Sequence, residues 1–232
     1  MAVSRNELSL TGKTLVAPLM DHATTHTMAA GIGGVLNTTV TILPSGPQTD
    51  ISVGKRFSSG RECYPYIVTL ADVLSFFYRE QEMGRRLDSY VLIYPQAHGP
   101  CRFGQYHTAI DLVMQREGFG DVTIVSPTTK DSYTLGGQIT REEGKAIRTV
   151  LWNSIVIGDV LNRLLWRSRP YEREPGRADA VYHRWLTELC AALYEYAAEG
   201  TSLFSSYKPI LKKLREAAQE FALWGQPTAL VL

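Results

Sequence analysis

Four short runs of apolar and β-branched residues, at 14–20 (TLVAPLM), 37–43 (NTTVTIL), 89–95 (SYVLIYP) and 122–125, recur through the first half of the chain with longer stretches between them. That alternation constrains the fold more than any other feature, because strands separated by helices pair side by side as a parallel sheet. The expected class is α/β: a Rossmann-like, mostly parallel sheet in three layers, followed by a C-terminal helical subdomain. Asp21 reads as the cap of a first helix that ends near Gly31, where Gly31, Gly33 and Gly34 suit a terminus. Thr69-Leu-Ala-Asp72 resembles a capping box opening a helix to about Met83, and a further helix is expected over about 105–117. The segments 44–60 and 127–139 read as long loops, and loops of that length tend to carry function.

The second half changes character. Residues 140–166 form one helical pattern, with Ile147, Val150, Leu151, Ile155, Leu161 and Leu165 at helical spacing, ended by Arg169-Pro170. Two more helices are expected over about 178–198 and 207–223. The organisation expected is an α/β domain over 1–135 and a helical subdomain over 136–226. Residues 227–232 then begin a strand that continues in a longer parent. The aromatic residues of these helices, Trp152, Trp166, Trp185, Tyr194 and Trp224, read as core.

Composition narrows the function classes. Hydrophobic residues make up 44% and charged residues 20%, which is globular and not disordered. Lys+Arg number 24 against 23 Asp+Glu, a net charge of +1 that leaves no electrostatic footprint for nucleic acid or an anionic membrane. No apolar run approaches the roughly 18–20 residues of a membrane-spanning helix. The N-terminal residues lack the apolar core of a secretory signal, so the expected address is the cytoplasm. Three cysteines, at 63, 101 and 190, are too few and too odd in number for a disulfide framework.

Two of them occupy matching contexts. Cys63 lies in Ser59-Gly-Arg-Glu-Cys63-Tyr-Pro65, and Cys101 in His98-Gly-Pro-Cys101-Arg-Phe-Gly104-Gln-Tyr106. Each has a glycine, a proline and an arginine close by, in a loop leading into a helix. In a parallel sheet such loops lie at the carboxyl edge, where α/β proteins place their sites. Helix N-termini and arginines favour thiolate, the form that binds metal. Gly99 and Gly104 would let the backbone crowd a bulky ligand. The bland alternative is a pair of buried cysteines that pack as small hydrophobes. Cys190, four residues after Leu186 and three before Leu193, reads as core.

These two cysteine motifs resemble those of proteins related to 2-hydroxyacyl-CoA dehydratases, in particular the dehydratase D-component-like segment of CoA-substrate-specific enzyme activase proteins. The resemblance extends through Pro18-Leu-Met-Asp-His22, Ser126-Pro-Thr-Thr-Lys-Asp-Ser-Tyr133 and Arg169-Pro-Tyr-Glu172, and its most specific part is Gly-Pro-Cys101-Arg-Phe-Gly-Gln-Tyr106. It implies an iron–sulfur protein of anaerobic metabolism, with a 4Fe-4S cluster ligated by Cys63 and Cys101 and with Arg102, Gln105 and Tyr106 beside it. The implied chemistry is low-potential electron transfer, or dehydration or reduction of an acyl-CoA. The implied partners are an ATP-hydrolysing activator and other dehydratase-like subunits, with acyl-CoA as ligand. The activator's nucleotide-binding motifs are absent from the sequence, so the ATPase label does not transfer. Any enzymatic part is that of a component in a lyase or ATP-dependent reductase system. A cubane cluster takes four cysteines, whereas this chain has two in motifs, so further ligands are expected from an upstream segment or a partner chain.

Other signals are weaker. His98, three residues before Cys101, can reach a cluster sulfur or donate a proton. His22 and His26 share a helix face, without the glutamate of a metalloprotease signature. Two further readings remain open: a docking module of a multidomain activase whose cysteines are vestigial, or a zinc or redox-thiol site at the same two cysteines.

Overall fold

The computed structural model describes residue 10 and residues 12–46, 49–199 and 207–224. Four strands form one sheet: β1 (Thr14–Ala17), β2 (Val40–Ile42), β3 (Tyr90–Ile93) and β4 (Thr123–Val125). Their order is β2-β1-β3-β4 and every pairing is parallel, with Leu15 opposite both Val40 and Val91, and Leu92 opposite Ile124. The α/β class and the parallel sheet are therefore as the alternating pattern requires. β3 is buried along its whole length, because its neighbours β1 and β4 leave it no free edge. The order reverses between β1 and β3, and in open parallel sheets ligand crevices form at the carboxyl ends of such strands.

The described residues also form seven α-helices: α1 (His22–Val35), α2 (Ile51–Arg56), α3 (Tyr64–Glu82), α4 (Tyr106–Arg116), α5 (Arg141–Ser168), α6 (Arg177–Ala198) and α7 (Lys208–Trp224). Two differ from the sequence reading in ways that matter. The segment 44–60 contains α2, capped by Asp50 through Ser52 N–H at 2.9 Å. And α3 starts five residues earlier than Thr69. Pro65 sits in its first turn, where a fixed φ and a missing N–H cost nothing. Thr69 is inside the helix and donates its hydroxyl back to the Pro65 carbonyl at 2.6 Å. Asp72 is buried mid-helix, accepting from the Thr49 hydroxyl at 2.6 Å. The earlier start makes Cys63 the N-cap residue itself.

The chain divides into two compact units. The first takes in residues up to 20 and 40–145, with a core of Val16 and Leu92 from the sheet, Leu70, Leu74 and Phe77 from α3, and Ile110 and Met114 from α4. The second takes in residues 21–39 and those from 146 on, with a core of Ile157, Leu161, Leu189, Leu193, Leu214 and Phe221 among others. The sequence reading grouped α1 with the first half, whereas the second unit contains it. Its glycines explain why. A Cβ at Gly34 would lie 2.3 Å from the Tyr194 carbonyl, so α1 packs at Gly34 directly on the α6 backbone, while a Cβ at Gly33 would lie 2.6 Å from the Thr38 carbonyl. These glycines permit close helix packing; α1 continues past them to Val35. Trp185 is buried, but Trp152 and Trp166 are 67% and 66% exposed, against their reading as core. The strand expected at 227–232 falls outside the described residues.

Candidate functional site

The carboxyl edge of the first unit's sheet is built by two loops. Residues 59–62 form a tight turn closed by Glu62, whose carboxylate accepts from Ser59 N–H at 2.9 Å, the Ser59 hydroxyl at 3.0 Å and Arg61 N–H at 3.2 Å. The Ser59 and Arg61 N–H bonds hold the Glu62 carboxyl below the usual range. Cys63 follows at the N-cap of α3, half-buried, with its carbonyl accepting from Tyr66 N–H at 3.0 Å. Its side chain makes no capping bond.

Cys101 stands at the corresponding place in the loop after β3. It is the N-cap of a 310 turn, Arg102–Gln105, that runs directly into α4, and its thiol is exposed. The turn lies against its own loop: a Cβ at Gly104 would lie 2.3 Å from the Ala97 carbonyl. Gly104 thus serves close approach within the protein. At Gly99 there is open space.

Two interactions join the loops. The Arg102 guanidinium donates to the Arg61 carbonyl, tying the residue after Cys101 to the turn before Cys63. Tyr106, the first residue of α4, hydrogen-bonds the Cys63 side chain through its hydroxyl. Burial raises that hydroxyl above its ordinary pKa first, and a hydrogen bond with Cys63 and the charges of Cys63 and Cys101 raise it further. Cys63 packs against a core rich in aromatic rings. Tyr106 packs edge-on against Tyr66 at 5.2 Å and against Phe103 at 5.3 Å, and Phe103 reaches Tyr94 at 6.1 Å between ring centroids. Tyr94 is fully buried, which pushes its hydroxyl well above the ordinary value.

The fold therefore joins the Cys101 loop to the turn before Cys63 through Arg102 and Arg61, and sets Tyr106 against Cys63 over a core that includes Tyr66, Tyr94 and Phe103. Gln105 and His98 are exposed on the same loop. Tyr66 and Tyr94 escaped the sequence reading. They look like ordinary members of apolar runs, and only the tertiary packing places them in the core against which Cys63 rests. Cys190 lies in the other unit, packed against its core, where burial pushes the thiol up to about 11.

Beside this rim is a cleft of about 450 Å³ lined by His107, Asp111, Thr123, Asp131 and Gln138 among others. One wall is the segment 126–138. Ser132, Tyr133 and Leu135 take left-handed backbone there, at φ 57°, 63° and 53°. Asp131 holds that backbone by accepting from Tyr133 N–H at 3.0 Å and Gly136 N–H at 2.7 Å. The long loop expected at 127–139 is thus a folded turn system built around one carboxylate.

The other segments that carry the family resemblance have structural uses. Asp21 caps α1 through Thr24 N–H at 2.8 Å, and Glu172 accepts from Gly176 N–H at 2.9 Å and Ala178 N–H at 2.8 Å at the start of α6. Among the described residues no group of three or more His, Cys, Asp or Glu side chains is arranged to hold a metal, so the rim supplies two thiols only. Among the described residues, no helix is long and apolar enough to cross a membrane. Comparison with protein families, with curated proteins and with solved structures finds no match to this chain.

Proposed function

We propose that the first unit binds an iron–sulfur cluster through Cys63 and Cys101 and acts in low-potential electron transfer, or in acyl-CoA dehydration or reduction, as the family resemblance implies. The observation that carries the reading is the meeting of two loops, 38 residues apart in sequence, through Arg102 and Tyr106. The donor set fits half of a four-cysteine cage. The remaining positions are filled by donors from another polypeptide or left open for substrate. When bound, the cluster supplies a one-electron donor of 4Fe-4S type.

The chain's own residues have defined parts in this reading. Cys63, at the N-cap of α3, and Cys101, at the N-cap of the 310 turn before α4, would supply the two sulfur ligands. Tyr106 hydrogen-bonds the Cys63 sulfur, and such outer partners tune ligand strength. Arg102 holds the two loops in register, and Tyr66, Tyr94 and Phe103 keep water from the inner side. Gln105 and His98 stand where a substrate or partner surface would meet the rim. The wider frame is a Rossmann-like, three-layered α/β unit with a helical subdomain, located in the cytoplasm and served by an ATP-hydrolysing activator. Catalysis would fall to the assembly, and ATP hydrolysis to the activator.

The test is anaerobic reconstitution with ferrous iron and sulfide. The expected product is brown and contains iron and sulfide in equal amounts. Cys63→Ser and Cys101→Ser each abolish the colour, while Cys190→Ser keeps it. A protein that stays colourless and iron-free, or that keeps its iron in the Cys63→Ser/Cys101→Ser double variant, overturns the reading.

A further inference from the structure

In the second unit the inward side of α5 is already furnished by Ile147, Val150, Ile157, Leu161 and Leu164, all buried. Its outer side is unlike an ordinary solvated helix face, where mixed charged and polar residues prevail. Between residues 146 and 168, every exposed residue of α5 is an arginine, a tryptophan, Ile155, Val156 or Asp159. Trp152 and Trp166 each leave about two thirds of their surface in water, at 67% and 66% exposure. Ile155 and Val156 follow Trp152 at i+3 and i+4 and are exposed as well, so the three apolar side chains adjoin on one surface. Trp166 comes fourteen residues after Trp152, about four turns on, which returns it to the same side about 21 Å along the axis. A single exposed apolar residue is ordinary, whereas a row of them with two indoles marks contact with a partner.

The charges on this side select the partner. Arg148, Arg163 and Arg167 flank the tryptophans, are exposed, and form no ion pair among the described residues. Asp159 is the single exposed carboxylate of α5 between residues 146 and 168, and it too makes no ion pair there. Three cations against one anion leave the face positive, a clustering that the overall charge of +1 conceals. A second copy of the chain would set two positive faces against each other, which like-charge repulsion opposes. The fitting partner is therefore anionic. A row of side chains along one side of a helix meets a flat surface all at once, and a bilayer is such a surface. Indole rings settle at headgroup depth, and arginine stems lie on apolar material while their guanidinium groups reach phosphate. We propose that this side of α5 lies on an anionic lipid surface, with Trp152 and Trp166 at headgroup depth and Arg148, Arg163 and Arg167 on lipid phosphates.

The test is co-sedimentation of the full chain, without added iron, with vesicles of phosphatidylcholine containing about one third phosphatidylglycerol, and with vesicles of phosphatidylcholine alone. Binding is expected to the anionic vesicles only, at about 0.1 M salt, and to weaken as salt is raised. The double variants Trp152→Ser/Trp166→Ser and Arg163→Glu/Arg167→Glu are each expected to weaken it by at least about tenfold. Asp159→Asn, which removes the one opposing charge, is expected to strengthen it. All of these positions are exposed, and circular dichroism checks that each variant is folded. No binding to the anionic vesicles, equal binding to both kinds, or binding unchanged in both double variants each overturn the proposal. So does a dimer in analytical ultracentrifugation that Trp152→Ser/Trp166→Ser dissolves, since the face would then belong to a second copy. The comparison of the two vesicle types needs no substitution, so it decides the matter even where a variant folds poorly.

Discussion

Two glycines in the Cys101 loop, five residues apart, are expected to respond to the same substitution in opposite directions. A Cβ at Gly104 would sit 2.3 Å from the Ala97 carbonyl, and such contacts do not fall below 3.0 Å. The loop must therefore open by about 0.7 Å, and overpacking of that kind costs about 1–3 kcal/mol. Replacing glycine with alanine also restricts the unfolded chain, which returns about 0.4–1 kcal/mol. Gly104→Ala should thus destabilise the protein by about 1–2 kcal/mol. For a chain of this size that is a fall in melting temperature of about 2–8 °C. At Gly99 the added methyl meets nothing within 4 Å, so Gly99→Ala retains only the entropic gain and should be neutral or stabilising by up to about 1 kcal/mol. Urea unfolding followed by tryptophan fluorescence and thermal melting followed by circular dichroism give both values. If Gly104→Ala proves as harmless as Gly99→Ala, the packing of the 310 turn on Ala97 is not what fixes Cys101.

Three further outcomes follow from other parts of the molecule. Gly34→Ala presses a methyl to 2.3 Å from the Tyr194 carbonyl and should cost at least about 2 kcal/mol in urea unfolding, whereas Gly31→Ala meets Val150 Cβ at 3.0 Å, a milder overlap, and should cost less; the reverse order would refute backbone contact of α1 with α6. Burial, followed by His26 and His183, lowers the His22 pKa below 6.5, so the unfolded chain binds its proton first and stability is lost as pH falls below about 6.5; His22→Gln should flatten that slope in pH-dependent unfolding. Iodoacetamide at pH 8, read by mass spectrometry, should label exposed Cys101 first and Cys190 last, since burial pushes the Cys190 thiol up to about 11; early labelling of Cys190 would place it outside the second core.

Tertiary context changed the reading most where a residue's role depends on a partner distant in sequence. Thr69-Leu-Ala-Asp72 has the pattern of a helix start, yet Pro65 upstream supplies a better first turn and Asp72 is needed inside to meet Thr49. Trp152 and Trp166 have core-like surroundings on a helix of high amphipathicity, but the buried face of α5 runs through Ile147, Val150, Ile157, Leu161 and Leu164 instead. Gly31, Gly33 and Gly34 look like a helix end, and only the tertiary structure shows that they make room for close neighbours: the Val150 side chain, the Thr38 carbonyl and the α6 backbone at Tyr194.

The sequence by itself determined the α/β class, a mostly parallel sheet, the places of β1 to β4 along the chain and the long helices of the second half. Each of these rests on local periodicity, and a period of two or 3.6 residues is written along the chain. Only the tertiary structure decided that Arg102 ties the Cys101 loop to the turn before Cys63, that Cys63 rests on the core holding Tyr66 and Tyr94, and that His183 meets His22. Those are meetings of side chains carried by different elements. Sheet order and helix packing decide them, and no local pattern encodes which surfaces will come to face each other.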